Sequence, residues 1–330
     1  MKMDTDFHTA KGESESSYSN NSRLQPLGCS SGENTLILVS QVIDAMSDSQ
    51  QMEVQFFLND LPENDFNYIF HSLGNFKESI AAEHKGGRIA GLPGSYYTRL
   101  FPSQSVHLFH SSCCLHWRSR LPDGLDVNAK PYLNKGNIYI AKTTTLSVVK
   151  LYQELFETDL LLFLKLRHEE LVSGGQMVLT FLGRKNEDAY KGNLNHLCGL
   201  LAQSVQSLVH KGLVQEEKLD AFNLPVYGPS VDEVMAVVRK SELFNVSSTR
   251  LFGSNWDPYD DSGDRIVQDS LQSGLNVAKS IRAVMEPLFA SHFGGAVLDE
   301  LFREYARNVA KHLQREKTMY SVIVLFLQRR

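Results

Sequence analysis

The sequence predicts an α/β fold with a mostly parallel sheet and a helical cap, and two observations support this. Over residues 53–185, short apolar runs alternate with helical segments and Pro/Gly turns, which is typical of a mostly parallel sheet. From residue 186 onward helical segments dominate, with two strand-like runs at 243–252 and 318–327. We expect these late runs to complete the sheet and the helices around them to form the cap.

The predicted strands are short, apolar and bounded by turn residues. They lie at 53–58, 88–91, 106–111, 137–142, 176–182, 243–252 and 318–327. The predicted helices lie at 33–46, 148–172, 194–212, 277–289 and 296–315. Ser230 and Glu233 have the spacing of a capping box, which predicts a further helix from there to about residue 240.

These elements divide the chain into four parts. Residues 1–26, rich in Ser, Asn and Glu, form an N-terminal arm, and residues 27–185 form the α/β core. The cap is drawn from residues 186–242 and 260–316. Residues 243–259 and 317–330 return to the sheet as its final strands.

Composition and charge exclude several classes of protein. The chain has 330 residues, 42% of them hydrophobic, which is enough for one large domain with an inserted cap. Its formal net charge is −5 and Lys and Arg do not cluster, so we expect no nucleic-acid partner. The longest apolar run, 322–327, is too short to span a membrane, and the polar N-terminus lacks a signal-like stretch. We therefore expect a soluble, cytoplasmic protein without a membrane partner.

The cysteines give no sign of a metal site. Cys29, Cys113, Cys114 and Cys198 lack metal-ligand spacing. Cys113 and Cys114 are adjacent, and neighbouring residues rarely reach disulfide geometry. We expect reduced thiols, as in the cytoplasm.

A glycine loop and an acidic residue suggest a nucleoside site. Gly28 and Gly32 flank a tight loop ahead of a predicted helix, where a ligand can approach the backbone closely. Asp60 ends an apolar run, and an acid at the tip of a second strand can bind ribose hydroxyls. Separately, the loop could be an ordinary Gly/Ser turn and Asp60 a helix N-cap. Together they favour a nucleoside, without separating S-adenosylmethionine (SAM) from a nicotinamide dinucleotide.

A series of motifs gives the pattern more specificity. It runs, in order, through SYSNNS at 17–22, LGCSSG at 27–32, FLNDLP at 57–62 with NDFN at 64–67, GLPGS at 91–95, HSS at 110–112 with HW at 116–117, NKGNIY at 134–139, LDAFNLP at 219–225 and EPLFASHFG at 286–294. This series resembles the SABATH family, which includes salicylate, benzoate, jasmonate and indoleacetate carboxyl methyltransferases and caffeine-pathway N-methyltransferases. NHLCGLL at 195–201 and LFGSNWDP at 251–258 look most like the grass anthranilate, salicylate and benzoate methyltransferases.

The resemblance implies a Rossmann-like SAM-dependent methyltransferase core and an O-methyltransferase that forms the methyl ester of a small aromatic acid. The positions that match SAM contacts are Tyr18, Cys29, Asn34, Asp60, Leu61, Ser95 and Tyr96. The positions that match substrate contacts are Gln25, His116, Trp117, Leu197, Cys198, Tyr227, Ile281 and Tyr320. Gln25 and Trp117 would align the carboxylate, and no catalytic nucleophile is expected. A homodimer is also implied.

The resemblance further implies an optional or structural Mg²⁺ site. The matching positions are Asn134, Asp220, Phe222 and Asn223. From the residues alone, several site positions have an ordinary structural alternative: Trp117, Cys198 and Ile281 as core, and His116 as a buried histidine with satisfied hydrogen bonds.

The chain departs from the family pattern at one place. In the family, the arm leads into a long helix and then an apolar strand ending in Asp, before the Leu-Gly-Cys loop. Here Gln25 is followed at once by Pro26 and Leu27, and no Val/Ile/Leu run precedes Gly28. Pro26 also lacks the N–H that a sheet ladder needs. We therefore expect the first core strand and the helix before it to be missing.

Two other functions compete with the methyltransferase. The missing strand motivates a catalytically impaired, truncated paralogue or splice form that acts at most as a dimer partner. A nicotinamide-dependent oxidoreductase is the other, but the loop from Gly28 to Gly32 lacks the G-x-G-x-x-G spacing of dinucleotide sites.

Overall fold

The computed structural model describes residues 39, 41–42, 54–71, 87–260, 262 and 266–330. Four of the expected site residues, Tyr18, Gln25, Cys29 and Asn34, lie outside these ranges, as does most of the helix predicted at 33–46. Residues 39, 41 and 42 are helical, in agreement with that prediction. Among the described helices, none is both long and apolar enough to cross a bilayer.

In the part of the chain that the structure describes, six strands form two sheets. The strands are β1 (Val54–Asp60), β2 (Gly87–Pro93), β3 (Val106–Ser112), β4 (Leu171–Gly183), β5 (Phe244–Asn255) and β6 (Met319–Arg329). The first sheet pairs β1 with β2 in parallel, and the second has the order β3-β4-β6-β5. In the second sheet β3 and β4 are parallel, whereas β6 is antiparallel to both of its neighbours.

The helices lie between these strands. Those with both ends described are α1 (Leu146–Glu170), α2 (Asn193–His210), α3 (Glu216–Asp220), α4 (Val231–Ser241), α5 (Ser270–Phe293) and α6 (Leu298–Leu313). Residues 66–71 are also helical. The capping box that begins α4 is confirmed, because Ser230 accepts from Glu233 N–H and the Glu233 carboxylate accepts from Ser230 N–H. The short helix α3 was not predicted. Its five residues give too short a pattern for a periodicity.

The predicted strand at 137–142 is wrong. Ile138, Tyr139 and Ile140 are buried, but the segment consists of turns and bends. Its carbonyl groups bind elsewhere: that of Ile138 accepts from Leu224 N–H at 2.8 Å, and that of Ile140 accepts from the Asn195 side chain at 2.9 Å. An apolar run of this length fits a strand or a buried loop equally well, and here tertiary hydrogen bonds decide.

Most of the buried side chains form one core, which includes residues of α1, α2, α5, α6 and the four-stranded sheet. The β1–β2 sheet has a smaller core of its own, in which Leu58 and Ile69 pack with Phe66 and Ile89. Within the described residues, no strand pairs β1 or β2 with the larger sheet.

Aromatic rings connect the two sheets. Phe57 of β1 contacts Phe101 edge-on, with ring centroids 5.1 Å apart. Phe101 in turn contacts Phe109 of β3, at 5.7 Å. Phe57 nevertheless remains 43% exposed, and Leu108 of β3 remains 44% exposed. Each of these strands therefore leaves a large apolar side chain partly open to solvent.

Candidate active site

The carboxyl ends of β1 and β2 form the first part of the site. The Asn59 side-chain amide donates to the carbonyl oxygens of Leu92 and Gly94, at 2.8 Å each. The Gly94 N–H donates to the Asp60 carbonyl oxygen, also at 2.8 Å. These bonds fix the exit of β2 against the end of β1, so the residues that follow each strand leave from one edge of this sheet.

Asp60 provides a carboxylate at that edge. Its Oδ1 accepts from the N–H of Leu61 at 2.8 Å, and its Oδ2 accepts from the Asn64 side chain at 3.3 Å. The side chain is only partly buried, so ligand hydroxyls can reach it. A carboxylate held at the end of a parallel strand can bind the ribose of a nucleoside, and the assignment of Asp60 and Leu61 to SAM stays a prediction.

The segment 95–101, which we call the β2 exit loop, contributes an aromatic surface beside this edge. Ser95 begins it with a turn, in which its carbonyl oxygen accepts from Thr98 N–H at 2.9 Å. The Tyr96 ring lies 4.6 Å from that of Tyr97 and 6.2 Å from that of Phe163, between centroids. Burial raises the pKa of Tyr96 well above its usual value, so the phenol stays neutral and its ring offers an uncharged face.

The exit loop is joined to the turn that follows β3. The Tyr96 hydroxyl donates to the Cys114 carbonyl oxygen at 3.1 Å, and the Tyr97 hydroxyl donates to that of Trp117 at 2.8 Å. Tyr97 was not singled out from the sequence. Nothing in a Ser-Tyr-Tyr run indicates which ring faces a ligand and which positions the backbone.

The turn after β3 holds His116 and Trp117 against a distant segment. The His116 carbonyl oxygen accepts from Tyr227 N–H at 2.8 Å, and Arg118 N–H donates to the Pro225 carbonyl oxygen at 2.8 Å. Cys113 begins this turn with a positive φ of 54°. Main-chain bonds on both sides therefore fix the backbone position of Trp117.

His116 is neutral and buried. The residue is only 4% exposed, and its Nδ1 has no hydrogen-bond partner among the described residues. Burial, aided by the positive charge of Arg118, lowers its pKa from 6.5 to about 3. One imidazole nitrogen of His116 is therefore buried without a protein partner within the described structure, in contrast to the alternative of a core histidine with satisfied hydrogen bonds.

Side chains of the cap and of β6 form an apolar wall beside Trp117. Cys113 and Ala283 pack together with Trp117 and Val284, which places one face of α5 against the turn. Tyr320 of β6 interacts electrostatically with both Cys113 and Cys198, so the three lie near one another. Leu197, Cys198, Ile281 and Tyr320 are all buried members of the main core. Burial raises the pKa of Cys198 to about 12, so its thiol stays protonated.

Tyr227 has a different environment. Its hydroxyl donates to Glu233 at 2.8 Å and accepts from Arg184 at 3.0 Å, and Arg184 and Glu233 themselves form an ion pair at 2.8 Å. The residue is fully buried. Since its hydroxyl is occupied, Tyr227 can contribute to a pocket only through its ring.

The four expected Mg²⁺ positions lie close together but use their oxygen atoms within the protein. Asn134 Oδ1 accepts from Thr144 at 2.8 Å, and Asn223 Oδ1 accepts from the Asn134 side chain at 2.9 Å. Asp220 Oδ1 accepts from Gly136 N–H at 2.9 Å. Mg²⁺ takes near-octahedral oxygen ligands, and the side-chain oxygens of Asn134 and Asn223 already accept hydrogen bonds from the protein, so these residues as arranged do not fit the ion. They form a hydrogen-bonded cluster instead.

Comparisons with known proteins bear on the family of the chain. Residues 26–330 match the model of a family described as SAM dependent carboxyl methyltransferase. The chain is 49% identical to anthranilate O-methyltransferase 2 of Zea mays, with 100% of this chain and 99% of that protein covered. It is also 49% identical to benzoate O-methyltransferase of Zea mays, with both chains fully covered.

A solved structure shows the same fold. A loganic acid methyltransferase with SAH matches with a TM-score of 0.81 at 30% identity, over 98% of each chain. The alignment with the maize anthranilate O-methyltransferase spans 376 positions, whereas this chain has 330 residues. It therefore contains positions that this chain leaves empty.

Proposed function

The chain belongs to the SAM-dependent carboxyl methyltransferase family, and we propose that it forms the methyl ester of a small aromatic acid of the anthranilate, benzoate or salicylate type. The observation that supports this most is the 49% identity, over whole chains, to maize proteins named for anthranilate and benzoate. The buried wall of Leu197, Cys198, Ile281 and Tyr320 suits a flat, apolar ring.

The residues of this chain need only to bind and align the acid. An aromatic carboxylic acid has a pKa of roughly 4, so it is ionised at neutral pH and needs no general base. When bound, SAM supplies an electrophilic methyl group on a positively charged sulfur, and a carboxylate oxygen displaces the neutral thioether in line. Alignment of two reactants can contribute about 7–11 kcal/mol to such a step.

In this proposal, Trp117 and His116 receive the carboxylate. The indole N–H can donate to one oxygen, together with the Gln25 amide expected from the family pattern. His116 is neutral and can donate through one ring nitrogen. The apolar wall excludes water that would otherwise solvate the carboxylate.

At the other end of the site, Asp60, Leu61, Ser95 and Tyr96 would hold the nucleoside of SAM. The support is the position of a partly exposed carboxylate at the end of β1, beside the loop that carries the Tyr96 ring. Tyr18, Cys29 and Asn34 would complete this site. Mg²⁺ is not part of the proposal, because Asn134, Asp220 and Asn223 use oxygens to bind one another or nearby groups. The homodimer and the cytoplasmic location remain predictions from the sequence.

A second candidate is a catalytically impaired form of the same enzyme. Two observations support it: among the described residues no strand joins β1–β2 to the larger sheet, and the alignment with the maize protein contains positions that this chain does not fill. Both are consistent with the strand expected to be missing before Leu27. Its activity would be low for every acid, whereas the enzyme proposal requires turnover of at least one aromatic acid.

The test is methyl transfer from labelled SAM to a panel of anthranilate, benzoate, salicylate and jasmonate. We expect the methyl ester of a benzoate-type acid as the main product. Product from jasmonate alone, or methylation of a ring nitrogen, would contradict the assignment. No product from any acid, while SAM still binds, would favour the impaired form.

A further inference from the structure

Two buried side chains of opposite charge lie at the C-terminal end of α1. Arg167 is 1% exposed and Glu170 is 0% exposed. Arg167 Nε lies 2.8 Å from one carboxylate oxygen of Glu170, and Arg167 Nη2 donates to the other at 3.0 Å. The guanidinium also lies over the rings of Phe109 and Phe163, at 5.2 and 5.4 Å from their centroids.

A buried ion pair of this kind does not stabilise a fold simply by existing. The cost of removing two charges from water is often as large as their attraction. The remaining hydrogen bonds of the pair therefore indicate its role, and they converge on the β2 exit loop. Arg167 donates to the carbonyl oxygens of Tyr96 at 3.0 Å and of Thr98 at 2.9 Å.

Glu170 binds the other end of the same loop. Its Oε1 accepts from the N–H groups of Leu100, at 2.6 Å, and of Phe101, at 3.1 Å. The pair thus holds four main-chain groups of a segment that has no regular secondary structure of its own. The ring of Phe163, which lies under the guanidinium, is also the ring that packs against Tyr96.

We propose that the Arg167–Glu170 pair is a positioning device for the cofactor, which sets the position of the Tyr96 ring at the adenine without touching SAM. This inference rests on the proposed function, since only that function assigns Ser95 and Tyr96 to the adenine. Arg167 suits the role because its planar fork spreads its donors over several nitrogens in fixed directions and so reaches two carbonyl groups and one carboxylate, whereas an ammonium group donates from a single nitrogen.

Two variants test the charge and the hydrogen-bonding geometry of the Arg167–Glu170 pair separately. Glu170→Gln keeps one oxygen as an acceptor but removes the negative charge. Arg167→Lys keeps the positive charge but loses the fork. Glu169→Gln is the matched control, because it makes the same chemical change one residue away. The Glu169 side chain is 41% exposed and forms an ion pair with Arg99 at 3.6 Å, and an exposed pair of this kind contributes little to stability. Leu208→Ala, at a fully buried position of α2, controls for general loss of stability.

The first measurement is the affinity for S-adenosylhomocysteine by calorimetry. We expect both pair variants to raise Kd by about tenfold, as for the loss of a charge-assisted hydrogen bond, with no change in Glu169→Gln. The second measurement is amide hydrogen exchange at Leu100 and Phe101, which reports on the loop whether or not a ligand binds. We expect faster exchange in Glu170→Gln at these two amides.

Each outcome either supports or contradicts the positioning role of the pair. Faster exchange together with weaker binding, beyond what Leu208→Ala causes at equal loss of melting temperature, supports the positioning role. Unchanged exchange overturns it, and so does faster exchange with unchanged affinity. If the unaltered chain binds no S-adenosylhomocysteine at millimolar concentration, the proposed function itself fails, and faster exchange alone would identify the pair as purely structural.

Discussion

The side-chain hydroxyl of Tyr97 donates a hydrogen bond of 2.8 Å to the main-chain carbonyl oxygen of Trp117. This bond joins the loop proposed to bind the adenine of SAM to the residue proposed to bind the carboxylate. The two halves of the candidate site, which follow strands of different sheets, are therefore connected directly by a hydrogen bond.

Tyr97→Phe should weaken catalysis more than stability. The variant keeps the ring and removes the bond that positions Trp117, which should cost roughly 0.5–1.5 kcal/mol in kcat/KM. Tyr190→Phe is the matched control, because the Tyr190 hydroxyl makes a similar bond, to the Thr144 carbonyl oxygen at 3.0 Å, away from the site. Steady-state kinetics and melting temperatures of both variants provide the comparison. Equal losses of kcat/KM in the two would show that Tyr97 has only a structural role.

Trp117→Phe and Gln25→Ala should act on the acid more than on SAM. Each variant removes one donor proposed for the carboxylate, and an unpaired buried partner costs on the order of 1–3 kcal/mol. We expect this loss in kcat/KM for the acid, while the Kd for SAM changes little. If both variants lose SAM affinity to the same extent, the two side chains hold the fold or the cofactor site instead.

His116 should make the protein less stable in acid. Its pKa is about 3 in the folded state and 6.5 ordinarily, so on acidification the unfolded chain takes up a proton that the folded chain refuses. The His116 contribution to stability is complete above pH 6.5 and is lost as the pH falls towards 3. As the pH falls from about 6.5 to about 4.5, the free energy of unfolding should decrease by about 2–3 kcal/mol more in the unaltered chain than in His116→Gln. Parallel denaturant midpoints across this range would show that His116 is solvated.

Removal of divalent metal should have no effect. The side-chain oxygens of Asn134 and Asn223 accept hydrogen bonds from the protein, so they hold the loop without an ion. We expect the melting temperature and methyl transfer to be the same in chelator and in excess Mg²⁺. A rise in melting temperature that saturates with Mg²⁺, and disappears in Asp220→Asn, would contradict this interpretation.

Restoring the expected strand should strengthen SAM binding. The sequence from Ser22 to Pro26 is too polar and too short for a buried strand, and Pro26 lacks an N–H. We expect a chain with the helix and strand of a maize relative inserted before Leu27, and Asp in place of Pro26, to bind SAM at least about tenfold more tightly. It should also melt at a higher temperature. Micromolar binding and a cooperative melt in the unaltered chain would show that another segment replaces the strand.

The sequence predicted most of the regular elements, because their patterns are local. The capping box of α4 and the strand at 106–111 needed only neighbouring residues. The segment 137–142 could not be predicted, since its backbone bonds go to Leu224 and Asn195, far along the chain. For the same reason Arg167 and Glu170 were not predicted from the sequence. Their partners are main-chain groups about 70 residues away, and a contact with a distant main-chain group produces no sequence pattern.

The fraction of molecules in which the small β1–β2 sheet is ordered affects the apparent affinity for the cofactor. A two-stranded sheet is only marginally stable by itself. Within the described ranges, β1 and β2 pair with each other alone, and their sheet packs through its own small core and the contact of Phe57 with Phe101. It also carries Asp60, and so part of the proposed nucleoside site. If this sheet were ordered about one-tenth of the time, the apparent Kd for SAM would rise about tenfold without any change in a contact to the ligand. Substitutions at Phe57 or Ile69 would then alter cofactor affinity, although neither side chain is proposed to contact the cofactor.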